Sequence, residues 1–317
     1  MRHIFIINPV SGKKNITERV RNEIESVCAR RGINPLIFIS EYNGYERFIA
    51  EKMCSLFTDE DIRFYCIGGS GTLFQTLSGL DDGANRQITC YPAGLTNDFL
   101  KSYKGSVREF HNIEALLDGR VDELDYIKVM GHCKSLDLIC IGLGNSLSDS
   151  DSLSDFTTRD NFNVGYGFAI SYDLFRTTAV DYEISVDGKD YSGKYAFILC
   201  LNGKTLGGKY VPTEEACPTD GIMNILLFKE MNPATQGTMI LKYMFGNNDV
   251  VKESSTHIKG RRLIISRKDH KHMLLNCDGD SFSPSDTTLD IRLVPAGLKF
   301  VAPSHSELVS SETSPES

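Results

Sequence analysis

The sequence predicts an α/β plus β protein, in which a parallel α/β domain comes first and an antiparallel β-sandwich follows. Two observations carry this prediction. Over about the first 125 residues, short apolar runs alternate with segments of helical periodicity, which is typical of a doubly wound parallel sheet. After that point the chain consists mainly of short strand-like runs separated by turn residues, which indicates antiparallel pairing.

The amino-terminal elements follow from apolar spacing and chain breakers. Residues 4–7 form an apolar run that ends in a turn, and Ile16, Val20 and Ile24 recur at helical steps before Gly32. The remaining predictions for this half are strands at 35–40, 63–67 and 87–91 and helices at 44–57 and 73–80. The second half is predicted to contain one helix, at 233–245, and strands at 127–129, 136–141, 182–186, 195–201, 223–228, 262–266, 273–275 and 289–293.

Composition excludes several classes of protein. The 317 residues carry a net charge of −8, which argues against nucleic acid as the main partner because such binding needs a basic surface. The nine cysteines include no Cys-x-x-Cys pair, so neither a common zinc site nor a disulfide framework is expected. The first residues enter a strand at once and no long apolar run follows, so we expect neither a signal peptide nor a membrane span, and a cytoplasmic protein.

A glycine-rich turn at residues 68–72, Gly-Gly-Ser-Gly-Thr, joins a predicted strand to a predicted helix. Glycines allow the backbone to approach a phosphate, and the N–H groups at the start of a helix attract anions. A polyphosphate is therefore a natural ligand. A tight turn without a ligand explains the same pattern equally well.

Two further bends strengthen the phosphate interpretation. Residues 8–12 close the first strand and residues 92–99 close the fourth, so in a parallel sheet all three bends would face one crevice. Asp98 could then hold magnesium through water, although Asn97 and Asp98 could also simply cap a helix. Phosphate or ribose oxygens could accept or donate hydrogen bonds at Asn8, Ser11, Thr72, Thr96 and Asn97.

A distant acidic turn at residues 276–280 supplies a candidate general base. Phosphoryl transfer to an alcohol needs alignment, charge neutralisation and a carboxylate that takes the hydroxyl proton. Asp278 or Asp280 could be that base. An Asp-Gly hairpin turn is the structural alternative.

Taken together, these motifs resemble the diacylglycerol kinase catalytic-domain family, which includes soluble bacterial lipid kinases. The resemblance runs from Asn8 to Pro303 through the three bends, Leu124-Asp125, Asn202-Gly203, Asp220-Gly221 and Asp278-Gly279-Asp280. It implies a Rossmann-like, NAD kinase-like amino-terminal domain over residues 1–125 with a returning strand at about 296–303. A β-sandwich lipid or substrate domain over 126–295 and a disordered tail over 304–317 complete the expected organisation.

The resemblance also assigns roles to residues. It implies Asp280 as the proton acceptor with Asp278 orienting it, and a magnesium site on Asp220 and the backbone carbonyls of Cys217 and Ile222, with Asp98 and Asp125 helping to place magnesium. ATP would contact residues that fall in the three bends and at the end of the second strand: Asn8, Pro9, Val10, Ser11, Gly12, Ser40, Gly68, Gly69, Ser70, Gly71, Thr72, Leu73, Phe74, Leu95, Thr96, Asn97 and Asp98.

The sequence departs from the family at several of these positions. Ser70 and Gln75 stand where the family turn has acids, and Leu95 stands where it has a threonine. Asp280 replaces a glutamate, which shortens the reach of the acid, and a misplacement of about 1 Å can cost ~10²-fold in rate.

The resemblance leaves more than one function open. The leading hypothesis is an ATP- and magnesium-dependent lipid kinase of phospholipid metabolism, acting on a diacylglycerol-like hydroxyl. A catalytically weakened regulator that binds nucleotide or lipid is the main alternative, followed by a kinase of a non-lipid acceptor and an NAD kinase. The expected partners are a lipid with a free hydroxyl, a transient membrane surface and a second copy of the chain, but not nucleic acid.

Overall fold

A computed structural model of the chain describes residues 1–12, 14–81, 85–94, 97–105, 107–131, 137–140, 145–148, 179–205, 211–244, 247, 249–278, 280–282 and 286–309. The strands are β1 (Arg2–Ile7), β2 (Leu36–Ile39), β3 (Ile62–Gly68), β4 (Arg86–Pro92), β5 (Tyr103–Lys104), β6 (Arg120–Gly131), β7 (Asp137–Cys140), β8 (Asn145–Ser148), β9 (Val180–Val186), β10 (Lys189–Asp190), β11 (Gly193–Leu201), β12 (Met223–Lys229), β13 (Ser255–Gly260), β14 (Arg262–Arg267), β15 (Leu274–Cys277), β16 (Asp280–Phe282), β17 (Thr288–Ala302) and β18 (Glu307–Leu308).

The helices are fewer and lie mainly in the first half of the described chain. They are α1 (Thr17–Arg30), α2 (Tyr45–Leu56), α3 (Ser70–Leu77), α4 (Ile113–Leu117), α5 (Pro233–Met244) and α6 (Asp249–Ser254), with 3₁₀ turns at Asp98–Ser102 and Val107–His111. The chain divides into two compact units. The amino-terminal unit contains residues 1–124 and 296–309, and the carboxyl-terminal unit contains residues 125–295.

The amino-terminal unit contains a parallel sheet in the order β2-β1-β3-β4-β17. Its central strand β3 is buried along its whole length, and four consecutive residues of β1 are buried as well, because helices cover both faces of such a sheet. On the last strand, Lys299 pairs with Gln87 and Phe300 pairs with Ile88. The predicted parallel α/β domain is confirmed.

The carboxyl-terminal unit is antiparallel throughout its described strand pairs. Strand β11 pairs with β8, β9 and β12, and β12 pairs in turn with β13. One face of β11 and β12 packs under helices α5 and α6 through an apolar cluster that contains Phe197, Leu226, Met239 and Val251. This arrangement agrees with the predicted antiparallel β domain.

Some elements differ from the prediction in extent or were missed. Helix α3 begins at Ser70, three residues earlier than its apolar periodicity suggests, because the glycine-rich turn itself forms the first turn of the helix. Helix α4 and the two 3₁₀ turns span only five residues each, which is too short for periodicity to register. Residues 144–163 are rich in Ser and Asp and lack periodicity, which indicates a loop. Residues 145–148 form β8 instead, and the others lie outside the described residues.

The prediction of a disordered tail from residue 304 is wrong for residues 304–309. Strand β18 pairs with β5, joining Glu307 to Lys104 and Leu308 to Tyr103, and Ser306 is buried. Composition averages over the whole segment and misses a short stretch that is ordered by contacts with residues far away in sequence. Residues 310–317 lie outside the described part of the chain.

Seven cysteines among the described residues are buried, and none of the seven forms a disulfide. Within the described residues, no group of three or more His, Cys, Asp or Glu side chains could hold a metal ion, and no helix is both long and apolar enough to cross a membrane.

Candidate functional site

Three bends meet at the carboxyl ends of β1, β3 and β4 in the amino-terminal unit. The N–H of Asn8 donates to the carbonyl oxygen of Ile67 at 2.9 Å, which ties the first bend to the end of β3. The carbonyl oxygen of Gly68 accepts from the N–H groups of Ala93 at 2.8 Å and Gly94 at 3.1 Å. The structure thus brings the predicted bends together at one edge of the sheet.

Glycines make this close approach possible. A Cβ on Gly94 would clash with the Cα of Gly69, and a Cβ on Gly69 would lie 3.2 Å from the Cα of Gly94. Gly12 has a φ of +80° and packs so closely on the carbonyl of Ala93 that a side chain there would collide with it. Backbone therefore packs on backbone where Gly69 meets Gly94 and where Gly12 meets Ala93.

Helix α3 starts directly at this edge. Its capping residue Gly69 has an extended backbone and offers no side-chain acceptor to the N–H groups of the first turn, and no acidic residue lies in that turn. The first N–H groups of a helix carry partial positive charge and attract anions. The second bend consequently presents anion-binding backbone where the other two bends converge.

A partly buried hydrogen-bond network involves Asn8 of the first bend. Asn8 Nδ2 donates to Glu46 Oε1 at 3.0 Å and to Thr72 Oγ1 at 3.1 Å, while Asn8 Oδ1 accepts from the N–H of Val10 at 3.1 Å. Ser40 Oγ donates to the same Glu46 oxygen at 2.8 Å. The network joins the end of β2, the first bend and α3.

Glu46 is a member of this network that sequence reasoning missed. It is 4% exposed, at the second position of α2. An acid in the first turn of a helix is usually explained by the helix dipole alone, so the pattern gave no reason to single it out. Only the fold brings it next to Asn8 and Ser40.

The other residues predicted to contact a nucleotide fall into distinct environments. Leu73 and Phe74 are core side chains of α3, so only their backbone could reach a ligand. Val10 is 85% exposed, whereas Pro9 and Ser11 are half-buried. Leu95 and Thr96 lie outside the described residues.

The third bend continues into a 3₁₀ turn that begins at Asp98. Asn97, at a φ of 41°, donates from Nδ2 to the carbonyl oxygen of Gly94 at 2.8 Å and so fixes this bend. Asp98 is buried and forms an ion pair with Lys101 at 2.8 Å. Asn97 precedes the 3₁₀ turn but makes no side-chain capping hydrogen bond to it. A role for Asp98 toward magnesium stays a prediction.

Two of the predicted metal residues lie together in the carboxyl-terminal unit. Asp125 accepts from the N–H of Gly221 at 2.7 Å, and Asp220 accepts from the N–H of Ile222 at 2.9 Å. Burial raises the pKa of Asp220, and the nearby negative charge of Asp125 raises it further. Asn202 Nδ2 donates to the carbonyl oxygen of Asp125 at 2.9 Å and helps to hold the arrangement.

These residues fit a hard cation such as magnesium. Asp125 on β6 and Asp220 in a turn supply carboxylate oxygens, which are ligands that magnesium prefers. The predicted carbonyl ligands belong to Cys217 and Ile222, on either side of Asp220. Asp98 belongs to the amino-terminal unit.

The predicted catalytic acids lie at a β-hairpin of the carboxyl-terminal unit. Cys277, the last residue of β15, pairs with Asp280, and Asp278 follows Cys277 at the end of that strand. Asp278 has a φ of 47° and is 5% exposed, and Asp280 is the first residue of β16. Gly279 lies outside the described residues.

Family models match both halves of the chain. Residues 2–129 match the model described as "Diacylglycerol kinase catalytic domain", and residues 149–302 match the model described as "YegS C-terminal NAD kinase beta sandwich-like domain". The two matches together account for most of the chain, one in each half. The chain belongs to the diacylglycerol kinase catalytic-domain family.

Individual relatives and solved structures agree with this assignment. Proteins of Staphylococcus aureus strains bovine RF122 / ET3-1 and MW2, both named "Putative lipid kinase", are 26% identical over 298 residues, covering 92% of this chain and 93% of theirs. A crystal structure of a diacylglycerol kinase from Bacillus anthracis str. Sterne superposes with a TM-score of 0.68 at 18% identity, covering 95% of this chain and 96% of that one. Yeast NADH kinase complexed with NADH shares the fold more distantly, with a TM-score of 0.53 at 8% identity over 98% of this chain and 84% of that one.

Proposed function

We propose that this protein is an ATP- and magnesium-dependent lipid kinase that transfers the γ-phosphate of ATP to the hydroxyl of a diacylglycerol-like lipid. One observation carries the proposal: three glycine-containing bends and the start of α3 meet at one edge of the parallel sheet. Such an edge is where ligands bind in open α/β sheets, and its N–H groups suit a polyphosphate.

Different residues of the chain would bind the phosphates, accept the proton and hold magnesium. The bends would hold the phosphates through backbone N–H groups, which need no rearrangement when negative charge develops. Asp280 would accept the proton of the acceptor hydroxyl, with Asp278 orienting it. Asp125 and Asp220, with the carbonyls of Cys217 and Ile222, would hold magnesium, which neutralises phosphate charge when bound. Asp98 would assist from the third bend.

The acceptor and its surroundings belong to the same proposal. A lipid hydroxyl would be reached by transient contact with a membrane surface from the cytoplasm, and the protein could act as a homodimer without nucleic acid. The Lys and Arg residues between 259 and 271 could contact an anionic membrane surface, but several of them are already paired with acidic side chains. Arg267 is buried against Asp269, and Lys259 and Arg262 form ion pairs with Glu215 and Asp290.

The proposal is tested by measuring transfer of labelled phosphate from ATP to diacylglycerol in mixed micelles with magnesium. Asp280→Asn should lower kcat by ~10²-fold or more because it removes the general base. Asp249→Asn, which alters an exposed acid of the same unit, is the matched control and should retain activity. An Asp280→Asn variant as active as the wild type would exclude Asp280 as the base.

One observation favours the alternative of a regulator with little catalysis. The first turn of α3 contains no acid, and Ser70 and Gln75 occupy the positions of two family carboxylates. Tight ATP binding without phosphate transfer to any extracted lipid would support the regulator. Gain of transfer in Ser70→Asp would instead identify a weakened enzyme.

A further inference from the structure

The direction of the hydrogen bonds around Glu46 determines what each neighbouring side chain can offer to a ligand. The Glu46 carboxylate only accepts, and it receives one hydrogen bond from Ser40 Oγ and one from Asn8 Nδ2. Glu46 is buried, whereas its two donors are half-buried. A buried carboxylate that lost such donors would be costly, which keeps the donors facing it.

Counting hydrogens shows which atoms remain free for a ligand. Ser40 has a single hydroxyl hydrogen and gives it to Glu46, so toward the crevice Ser40 can only accept. Asn8 uses both Nδ2 hydrogens and its Oδ1 internally, so its amide has none to give. Thr72 Oγ1 accepts from Asn8, and its own O–H has no acceptor among the described residues. Ser40 is thus an acceptor and Thr72 a donor.

We propose that Glu46 is a positioning residue that fixes Ser40 as a hydrogen-bond acceptor for a donor on the nucleoside part of the ligand, a sugar hydroxyl or a base amino group. The inference rests on the proposed function. The donor end of the ligand then lies at Ser40, and the anionic end lies toward Thr72 and the start of α3. A phosphate oxygen at Ser40 Oγ would oppose two acceptors, with the Glu46 charge behind them.

Binding of nucleotide analogues to the full-length protein tests whether the nucleoside end of the ligand lies at Ser40. The measurement does not depend on turnover. Isothermal titration calorimetry with magnesium would compare ATP with 2′-deoxy-ATP, 3′-deoxy-ATP and inosine triphosphate, which lacks the base amino group. The analogue that lacks the donor to Ser40 should bind about 10-fold more weakly than ATP, the effect of one lost hydrogen bond. The identity of that analogue tells a sugar hydroxyl from a base amino group.

Three variants test whether Ser40 and Glu46 cause the difference in affinity between ATP and the analogue that lacks the donor. Ser40→Ala and Glu46→Met should each bind ATP and the discriminating analogue with affinities within about twofold of each other, because the fixed acceptor is lost. Glu46→Gln retains an oxygen that accepts from Ser40, so it should keep the wild-type ratio. Glu51→Gln, which alters an exposed acid of α2 paired with Arg47, is the control and should also keep it. If Ser40→Ala and Glu46→Met lower the melting temperature but keep the wild-type ratio of affinities for ATP and the analogue, the two residues act in stability alone and the inference is wrong.

Inorganic triphosphate is the probe for the anionic end. Ser40→Ala should bind it as the wild type does, within about twofold. Equal weakening of triphosphate and ATP by Ser40→Ala would overturn the inference, because Ser40 would then face phosphate. Equal affinity of the wild type for ATP and all three nucleoside analogues would overturn the inference and leave the proposed function standing. Failure of every nucleotide to bind would overturn both.

Discussion

At the scale of single residues, Gly94 is the position at which the backbone packing of the bends is most sensitive. No positive φ is required there, so an alanine would be excluded by space alone: its Cβ would collide with the Cα of Gly69. The same contact seen from the other side is looser, since a Cβ on Gly69 would lie 3.2 Å from the Cα of Gly94. The two glycines therefore form a matched pair for mutation.

Gly94→Ala should separate the second and third bends and lower the free energy of unfolding by about 1–3 kcal/mol, the usual cost of overpacking. ATP binding should fall at least 10-fold because the anion-binding N–H groups move apart. Urea unfolding and calorimetric titration would measure the two effects. Gly69→Ala needs a shift of only a few tenths of an ångström, so its effect on both should be smaller. Equal stability of Gly94→Ala and the wild type would contradict this packing.

Some residues of the candidate site could be predicted from the sequence and others could not. The bends were predictable because glycine, proline and asparagine at strand ends have local causes that are visible in the sequence. Glu46 was not, because its meaning depends on Asn8, which is 38 positions away along the chain. At Leu73 and Phe74 the fold adds what the motif could not show: both side chains are buried, so a contact with ATP would involve their backbone.

At the scale of elements, the pair β5 and β18 shows how contacts override composition. Val309 N–H donates to the carbonyl oxygen of Ser102 at 2.8 Å, and Ser306 Oγ donates to Glu109 at 2.8 Å. Arg120 donates to the carbonyl oxygen of Ser306 at 2.7 Å. A polar segment thus becomes ordered through partners that lie about 200 residues earlier in the chain.

Removal of residues 305–317 should lower the free energy of unfolding by about 1–3 kcal/mol, because it deletes these hydrogen bonds and the pairing of β18 with β5. Removal of 310–317 retains every one of these contacts and serves as the control, with an expected change below about 0.5 kcal/mol. Urea denaturation followed by circular dichroism would compare the two. Equal stability of both truncated proteins would show that β18 contributes nothing.

At the scale of the whole molecule, strand β17 makes the amino-terminal unit discontinuous in sequence. Residues 288–292 of this strand pair with β14 in the carboxyl-terminal unit, whereas Lys299 and Phe300 pair with β4 in the amino-terminal unit. The alternation of strands and helices predicted the sheet but not its last strand, which local periodicity places in the β domain. Only the family resemblance implied that the chain returns.

A fragment of residues 1–124 should therefore fail to unfold cooperatively. It lacks Phe300, which is fully buried with its ring 4.9 Å from that of Phe99, and it lacks the carbonyl of Val301 that accepts from Thr89 Oγ1 at 2.6 Å. Joining 1–124 to 296–309 through a short Gly/Ser linker should restore a cooperative thermal transition, because β4 regains its neighbour.

Phe300→Ala in the joined fragment distinguishes restored packing from a solubility effect of the added segment. The substitution should lower the free energy of unfolding by about 3–5 kcal/mol, because it empties a site lined by Phe99, Tyr103 and Phe110. Lys299→Ala changes a half-buried neighbour that bonds Asn85 and should cost far less. A fragment 1–124 that unfolds cooperatively, with the stability of the joined protein, would show that the parallel sheet is complete without β17.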